Sequence, residues 1–157
     1  MNRLRGLLGG DGLQVAVIGA GVCDEKVRHL AYEVGSGIAR LGHILICGGL
    51  GGVMEAASCG ARDASGVAVG IVPGEKGEAN PYVGIEIATG MMHARNVIIV
   101  RSADVVLALP GGYGTLSEIA LALKMGKPVI DLGGWDVPGA QKVRTPEEAL
   151  SHLNKKG

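Results

Sequence analysis

The sequence predicts an α/β protein: a Rossmann-like, three-layer open parallel sheet of six or seven strands with helices on both faces. Three observations carry that expectation. Short β-rich apolar runs are nearly continuous rather than alternating in and out, as happens when helices cover both faces of a parallel sheet. These runs alternate with segments of helical pattern, which reads as a series of βαβ units. Glycine, 28 of 157 residues, collects at the ends of apolar runs rather than in a tract or a period, marking tight strand-to-helix turns.

The elements follow in order. The run Gln14-Val15-Ala16-Val17-Ile18 is the first strand and ends in the turn Gly19-Ala20-Gly21. A helix is expected over 24–40. The apolar tetrad 44–47 is the second strand; it runs into Gly48, Gly49, Gly51 and Gly52, and a helix follows over 53–64. Strands at 67–72 and 85–88 precede a helix over 92–102. The run 104–109 is the fifth strand, a helix occupies 115–125, and a strand lies at 128–132. A short strand around 142–143 leads to a helix over 145–154. There Thr145, Pro146 and Glu148 supply an N-cap, an N1 proline and a capping-box acid. Right-handed crossovers place ligands beyond the carboxyl ends of such strands, where strand order reverses. The glycine turns after strands one, two and five all lie at such ends and can converge.

Residues 1–157 fit one nucleotide- or phosphate-binding domain, long enough to bury a full core. Lys+Arg and Asp+Glu are equal at 15 each, so no net field favours nucleic acid or an anionic membrane. With no Phe, one Trp and three Tyr, stacking platforms for single-stranded nucleic acid are not expected. Cys23, Cys47 and Cys59 share no metal-type spacing and suit a reduced cytosol. No metal site is expected. Arg3, Arg5 and nearby apolar residues faintly mimic a leader, but Asp11 and the surrounding glycines break the apolar stretch. No run is long enough to span a bilayer, and the expected location is cytoplasmic.

The chemistry concentrates in Pro110-Gly111-Gly112-Tyr113-Gly114-Thr115-Leu116-Ser117-Glu118. Strand, glycine turn and helix in succession offer backbone N–H groups and a positive helix end to an anion. The glycines let main chain approach a phosphate, and the Thr115 hydroxyl adds a donor at the expected helix start. The turn Gly19-Ala20-Gly21 is weaker: it lacks the third glycine of a dinucleotide fingerprint, and Cys47 stands where an NAD enzyme would place an acid. The four glycines at 48, 49, 51 and 52 form a second candidate anion nest, with Met54 read as core filler and Glu55 as a solvated or capping side chain. Glu118 has a plain alternative: Thr115-x-x-Glu118 also reads as a capping box. Arg95 could equally be a solvated helix residue or pair with Asp104, and His93 a surface residue. Ser117 has no triad partners at recognisable spacing.

Three segments together resemble the lonely guy, or cytokinin-activating phosphoribohydrolase, superfamily, long misannotated as lysine decarboxylases. They are P-G-G-x-G-T-x-x-E at 110–118, G-G-x-x-G-x-M within 48–54, and Met92-His93-Ala94-Arg95-Asn96. The last resembles the family's M-H-E-R-K, with Ala94 and Asn96 in place of Glu and Lys. The resemblance implies that Arg95 and Glu118 are the catalytic pair if the chain is an enzyme. It also implies ligand contacts at Gly19, Ala20, Gly21, Gly48, Gly49, Gly51, Gly52, Met92 and Arg95, and along Pro110, Gly111, Gly112, Tyr113, Gly114, Thr115 and Glu118. The spans 95–109 and 119–129 look closer to a small branch that includes molybdenum cofactor carrier proteins. That likeness implies a small phosphorylated ligand, of molybdopterin or nucleotide type, held without being transformed and with no cofactor required. It further implies a homo-oligomer, dimer or tetramer. Binding or carriage is favoured, because Ala94 and Asn96 fall inside the catalytic segment while the phosphate turn is intact. A phosphoribohydrolase acting on nucleoside 5′-monophosphates and a nucleotide sensor acting through partners stay open. Lysine decarboxylation is not expected, since no pyridoxal-binding lysine context is recognisable.

Overall fold

In the computed structural model, which describes residues 12–154, the apolar runs form one seven-stranded sheet. The leader-like stretch around Arg3 and Arg5 lies outside the described residues. In chain order the elements are β1 (Gln14–Ile18), α1 (Glu25–Arg40), β2 (Ile44–Cys47), α2 (Val53–Asp63), β3 (Ala68–Val72) and β4 (Ile85–Ala88). A 3-10 turn (Met92–Ala94) then leads to α3 (Arg95–Ser102), β5 (Val105–Ala108), α4 (Tyr113–Lys124), β6 (Val129–Asp131), β7 (Gln141–Lys142) and α5 (Pro146–Ser151). The strand order is β4-β3-β2-β1-β5-β6-β7, and every pair is parallel. The expectation of six or seven parallel strands in a Rossmann-like sheet is met.

The two sides of each strand sort into two cores. Val15, Val17, Leu45, Leu107 and Ile130 pack with Ala31, Val34 and Ile38 of α1, Val53, Ala57 and Ala61 of α2, and Ala149 of α5. Their neighbours Ala16, Ile18, Ile46, Val106 and Val129 pack on the opposite side with Ile99 and Val100 of α3 and Ile119 and Ala122 of α4. Because successive strand residues point to opposite faces, burial of both sets makes the runs continuously apolar. Each such aliphatic side chain contributes roughly 1.5–3 kcal/mol on full burial. Helices α1 and α2 approach closely at Gly35, where a Cβ would lie 2.0 Å from the Ala57 carbonyl oxygen. The helix propensity lost at that glycine, about 1 kcal/mol, is the cost of this contact.

Three boundaries differ from expectation by two residues or more. The helix after the phosphate turn starts at Tyr113, two residues early, with Gly112 as N-cap. The segment expected as one helix over 92–102 is a 3-10 turn followed by α3, because Met92 takes a left-handed backbone (φ 50°). The last helix stops at Ser151. Its cap forms as expected: the Glu148 N–H donates to Thr145 Oγ1 at 3.1 Å, and the Glu148 carboxylate accepts the Arg144 N–H at 3.0 Å.

Candidate functional site: a phosphate cradle at the switch point

From β1 the chain moves outward through β2, β3 and β4 on one side, then crosses back to β5 and moves outward on the other. Strand order therefore reverses between β1 and β5, and the crevice beyond their carboxyl ends is where this topology leaves room for a ligand. Backbone hydrogen bonds stitch the three glycine turns together there. The Ala20 N–H donates to the Pro110 carbonyl and the Val53 N–H to the Ala20 carbonyl, each at 2.9 Å. Only glycine permits this approach at Gly52 (φ 61°), where a Cβ would meet the Ala20 carbonyl oxygen at 2.3 Å.

A cavity of about 380 Å³ opens at this junction. Gly19, Ala20 and Gly21 line it from the first turn; Gly112, Gly114 and Thr115 from the start of α4; Arg95 from α3; and Glu118 from the second turn of α4. The other residues expected as ligand contacts lie outside that lining. Gly48 lends its carbonyl to Arg95, and Pro110 lends its own to Ala20. Gly49 and Gly52 hold positive-φ turns, Gly51 abuts the Gly21 carbonyl, and Gly111 packs its backbone on Thr115 and Ala20. Tyr113 is 91% exposed and Met92 62% exposed.

Hydrogen bonding inside α4 begins with the Leu116 N–H donating to the Gly112 carbonyl at 3.0 Å, and no side chain caps the helix. The N–H groups of Tyr113, Gly114 and Thr115 thus precede the helical ladder. They sit at the positive end of the helix dipole, facing the cavity that Gly112, Gly114 and Thr115 line.

Arg95 is buried, and burial pushes its guanidinium below its ordinary value while Glu118 and Cys47 pull the other way. An arginine in such a place stays charged. Nη1 donates to the Asn96 side-chain oxygen and Nη2 to the Gly48 carbonyl at 3.4 Å, while Nε has no partner among the described residues. Asn96 in turn donates to Ser117 Oγ at 3.3 Å, tying α3 to α4. Glu118 is 7% exposed, and desolvation raises its carboxyl to about 8 against the opposing pull of Arg95.

These facts correct four readings. Glu118 is not the acid of a capping box, since Thr115 is the third residue of the helix and Gly112 is the cap. Nor does Thr115 open the helix. Arg95 is neither solvated nor paired with Asp104, whose carboxylate accepts the Gln14 N–H at 2.8 Å. Met54 is not core filler: it lines the cavity, as do His93, Asn96 and Val22. Met54 and Asn96 escape sequence reasoning because a thioether and an amide carry no pattern of their own; only the position of Met54 in G-G-x-x-G-x-M hinted at it. Cys47 is fully buried, accepting the Gly49 N–H at 3.4 Å with Ser58 Oγ 3.5 Å away. It supports the second turn where a dinucleotide enzyme would present a ribose-binding acid.

The SLOG cluster4 family profile matches residues 12–156. The chain belongs to the SLOG cluster4 family. Its fold superimposes on the molybdenum cofactor binding protein of Rippkaea orientalis with TM-score 0.81 and 38% identity, covering 89% of this chain and 93% of that one. The molybdenum cofactor carrier protein of Chlamydomonas reinhardtii gives TM-score 0.82 at 34% identity, covering 90% and 96%. A cytokinin riboside 5′-monophosphate phosphoribohydrolase of Mycobacterium tuberculosis is 34% identical over 121 residues, 70% of this chain and 64% of that enzyme. The chain thus spans less than two thirds of that enzyme's length. Among the described residues of the SLOG cluster4 chain, no helix is long and apolar enough to cross a membrane.

Proposed function

We propose that this SLOG cluster4 protein binds or carries a phosphorylated, nucleotide-like ligand of molybdopterin type, gripping it by its phosphate. One observation carries the reading: the start of α4, whose first N–H groups precede the helical ladder, and the Arg95 side chain line one cavity at the switch point. Phosphate oxygens accept from both kinds of donor. A carboxylate beside a phosphate would repel it, but a Glu118 carboxyl raised to about 8 is neutral at pH 7. Among the described residues that line the cavity Glu118 is the one acid, and in its protonated form it does not repel the anion. The solved molybdenum cofactor proteins, matched over almost their whole length, support the same choice.

A second reading rests on Arg95 and Glu118 lining the same cavity. Water attack at the N-glycosidic carbon of a nucleoside 5′-monophosphate would release the free base and ribose 5-phosphate. Arg95 would orient the phosphoribose, and Glu118 would offset oxocarbenium charge and take a proton from water. Both duties of Glu118 require it ionised, against its raised value. Ala94 and Asn96 also depart from the hydrolase segment within the same turn of chain.

The test pairs two assays on the same preparation. Nucleoside 5′-monophosphates are incubated with the protein and free base is followed by chromatography, while calorimetry measures binding of molybdopterin and AMP. Binding without base release is the expected result. Base release that is lost in Glu118→Gln would overturn the carrier reading.

A further inference from the structure

Asp131 ends β6 and is 1% exposed, yet it forms no ion pair among the described residues. Its Oδ1 accepts the N–H of Gly133 at 2.9 Å and of Trp135 at 3.1 Å, and its Oδ2 accepts the N–H of Asp136 at 2.9 Å. Three bonds to one carboxylate curl the β6–β7 loop back over the end of β5. There the Trp135 indole Nε1–H donates to the Leu109 carbonyl at 2.9 Å. The loop presses on the same peptide through Gly133, where a Cβ would lie 2.6 Å from the Leu109 carbonyl carbon and 2.8 Å from the Pro110 nitrogen.

We infer that Asp131 and Trp135 are positioning residues, holding the Leu109–Pro110 peptide so that the phosphate turn and the first glycine turn present their backbone to one ligand, with the second turn braced behind them. The inference rests on the reading that those turns hold a phosphate. The Leu109 carbonyl and the Pro110 nitrogen share one planar peptide, and the proline ring fixes the next dihedral. Fixing that peptide therefore places the Pro110 carbonyl carbon and leaves a single rotation to aim its oxygen, which accepts the Ala20 N–H at 2.9 Å. The Ala20 carbonyl then accepts the Val53 N–H at the start of α2, also at 2.9 Å. Contacts thus run unbroken from a buried carboxylate in β6, through the phosphate turn and the first turn, to the second. Asp131, Trp135 and Leu109 do not line the cavity, so their effect on ligand is exerted through backbone.

The rival account is that the loop merely covers the sheet edge, with Trp135, Val137 and Ala140 packed against the core beside α4. The two accounts differ in where a perturbation is felt. Trp135→Phe keeps an aromatic ring on the core and removes the indole donor; Gly133→Ala forces the loop away from Leu109. Amide hydrogen exchange on the ligand-free protein reads the result residue by residue. In both variants exchange at Ala20 and Val53 should quicken about threefold to tenfold, the effect of losing one hydrogen bond's support. Exchange at Ile44, whose N–H bonds the Leu13 carbonyl at the other end of the sheet, should keep its wild-type rate. AMP affinity by calorimetry should fall by a similar factor. Unchanged exchange at Ala20 and Val53, or equal quickening at Ile44, overturns the inference. A wild type that binds neither AMP nor inorganic phosphate overturns the function proposed above, while the exchange result still decides this one.

Discussion

Burial moves Glu118 well away from ordinary acid–base behaviour, and the departure has a consequence for stability. Its folded value, about 8, lies above the ordinary 4.5 expected of the unfolded chain. Between those values the folded protein retains a proton that the unfolded chain releases. Stability is therefore greatest with respect to this group below the window and declines as pH rises through it, by on the order of a few kcal/mol. Glutamine cannot ionise, so the melting temperature of Glu118→Gln should match the wild type near the bottom of the window and exceed it increasingly toward pH 8. A gap that stays constant with pH would show the carboxyl already ionised in the folded state. The same variant separates the two functions. A carrier should keep its phosphate affinity, whereas a hydrolase should lose about a hundredfold or more in turnover. Among the thiols, Cys47 is buried and raised by that burial, while Cys23 and Cys59 are half-buried. Native protein should expose two thiols to a slow titrant, and denatured protein all three.

At the scale of elements, glycines that look alike in sequence divide into two kinds. Gly112 caps α4 with an extended backbone (φ −108°), and a Cβ there would meet nothing within 4 Å. Gly112→Val should fold with a melting temperature close to wild type, yet lower ligand affinity at least about tenfold by placing a side chain over the α4 N–H groups. Undiminished affinity for AMP would remove the turn from the site. Gly35→Ala should do the reverse. It drives a methyl into the Ala57 carbonyl, and separating α1 from α2 should cost about 1–3 kcal/mol in chemical denaturation. The strands were legible because both faces are buried, which writes each one as a continuous apolar word. The start of α4 was not. Thr115-x-x-Glu118 reads as a cap, whereas the helix starts at Tyr113 with Gly112 as its cap, and Glu118 is buried in its second turn. The Asp131–Trp135 loop left no readable trace either, since its partner is the main chain of Leu109, identical in every residue type.

Across the whole molecule, the cradle lies on the seam between two halves of the sheet, β1–β4 and β5–β7, joined there by the β1–β5 pairing from Val15–Val105 to Ile18–Ala108. The phosphate turn belongs to one half, and the first two glycine turns belong to the other. The sequence made each half visible as βαβ units, but strand order across the seam comes from tertiary pairing and only the glycine pattern pointed to it. A ligand touching the phosphate turn and the first glycine turn spans the seam, so it binds only when the two halves are folded together. Binding confined to the folded state stabilises by mass action: ligand at a hundred times its dissociation constant adds about 2.7 kcal/mol. For a chain of this size that corresponds to a rise of roughly 5–10 °C in melting temperature. Molybdopterin, or AMP as a simpler phosphate ligand, should produce such a shift in the wild type at saturating concentration. Gly112→Val should show little or none at the same concentration, because its fold is intact and its grip is not. An equal shift in both proteins would mean that the ligand stabilises the chain from some surface other than the seam.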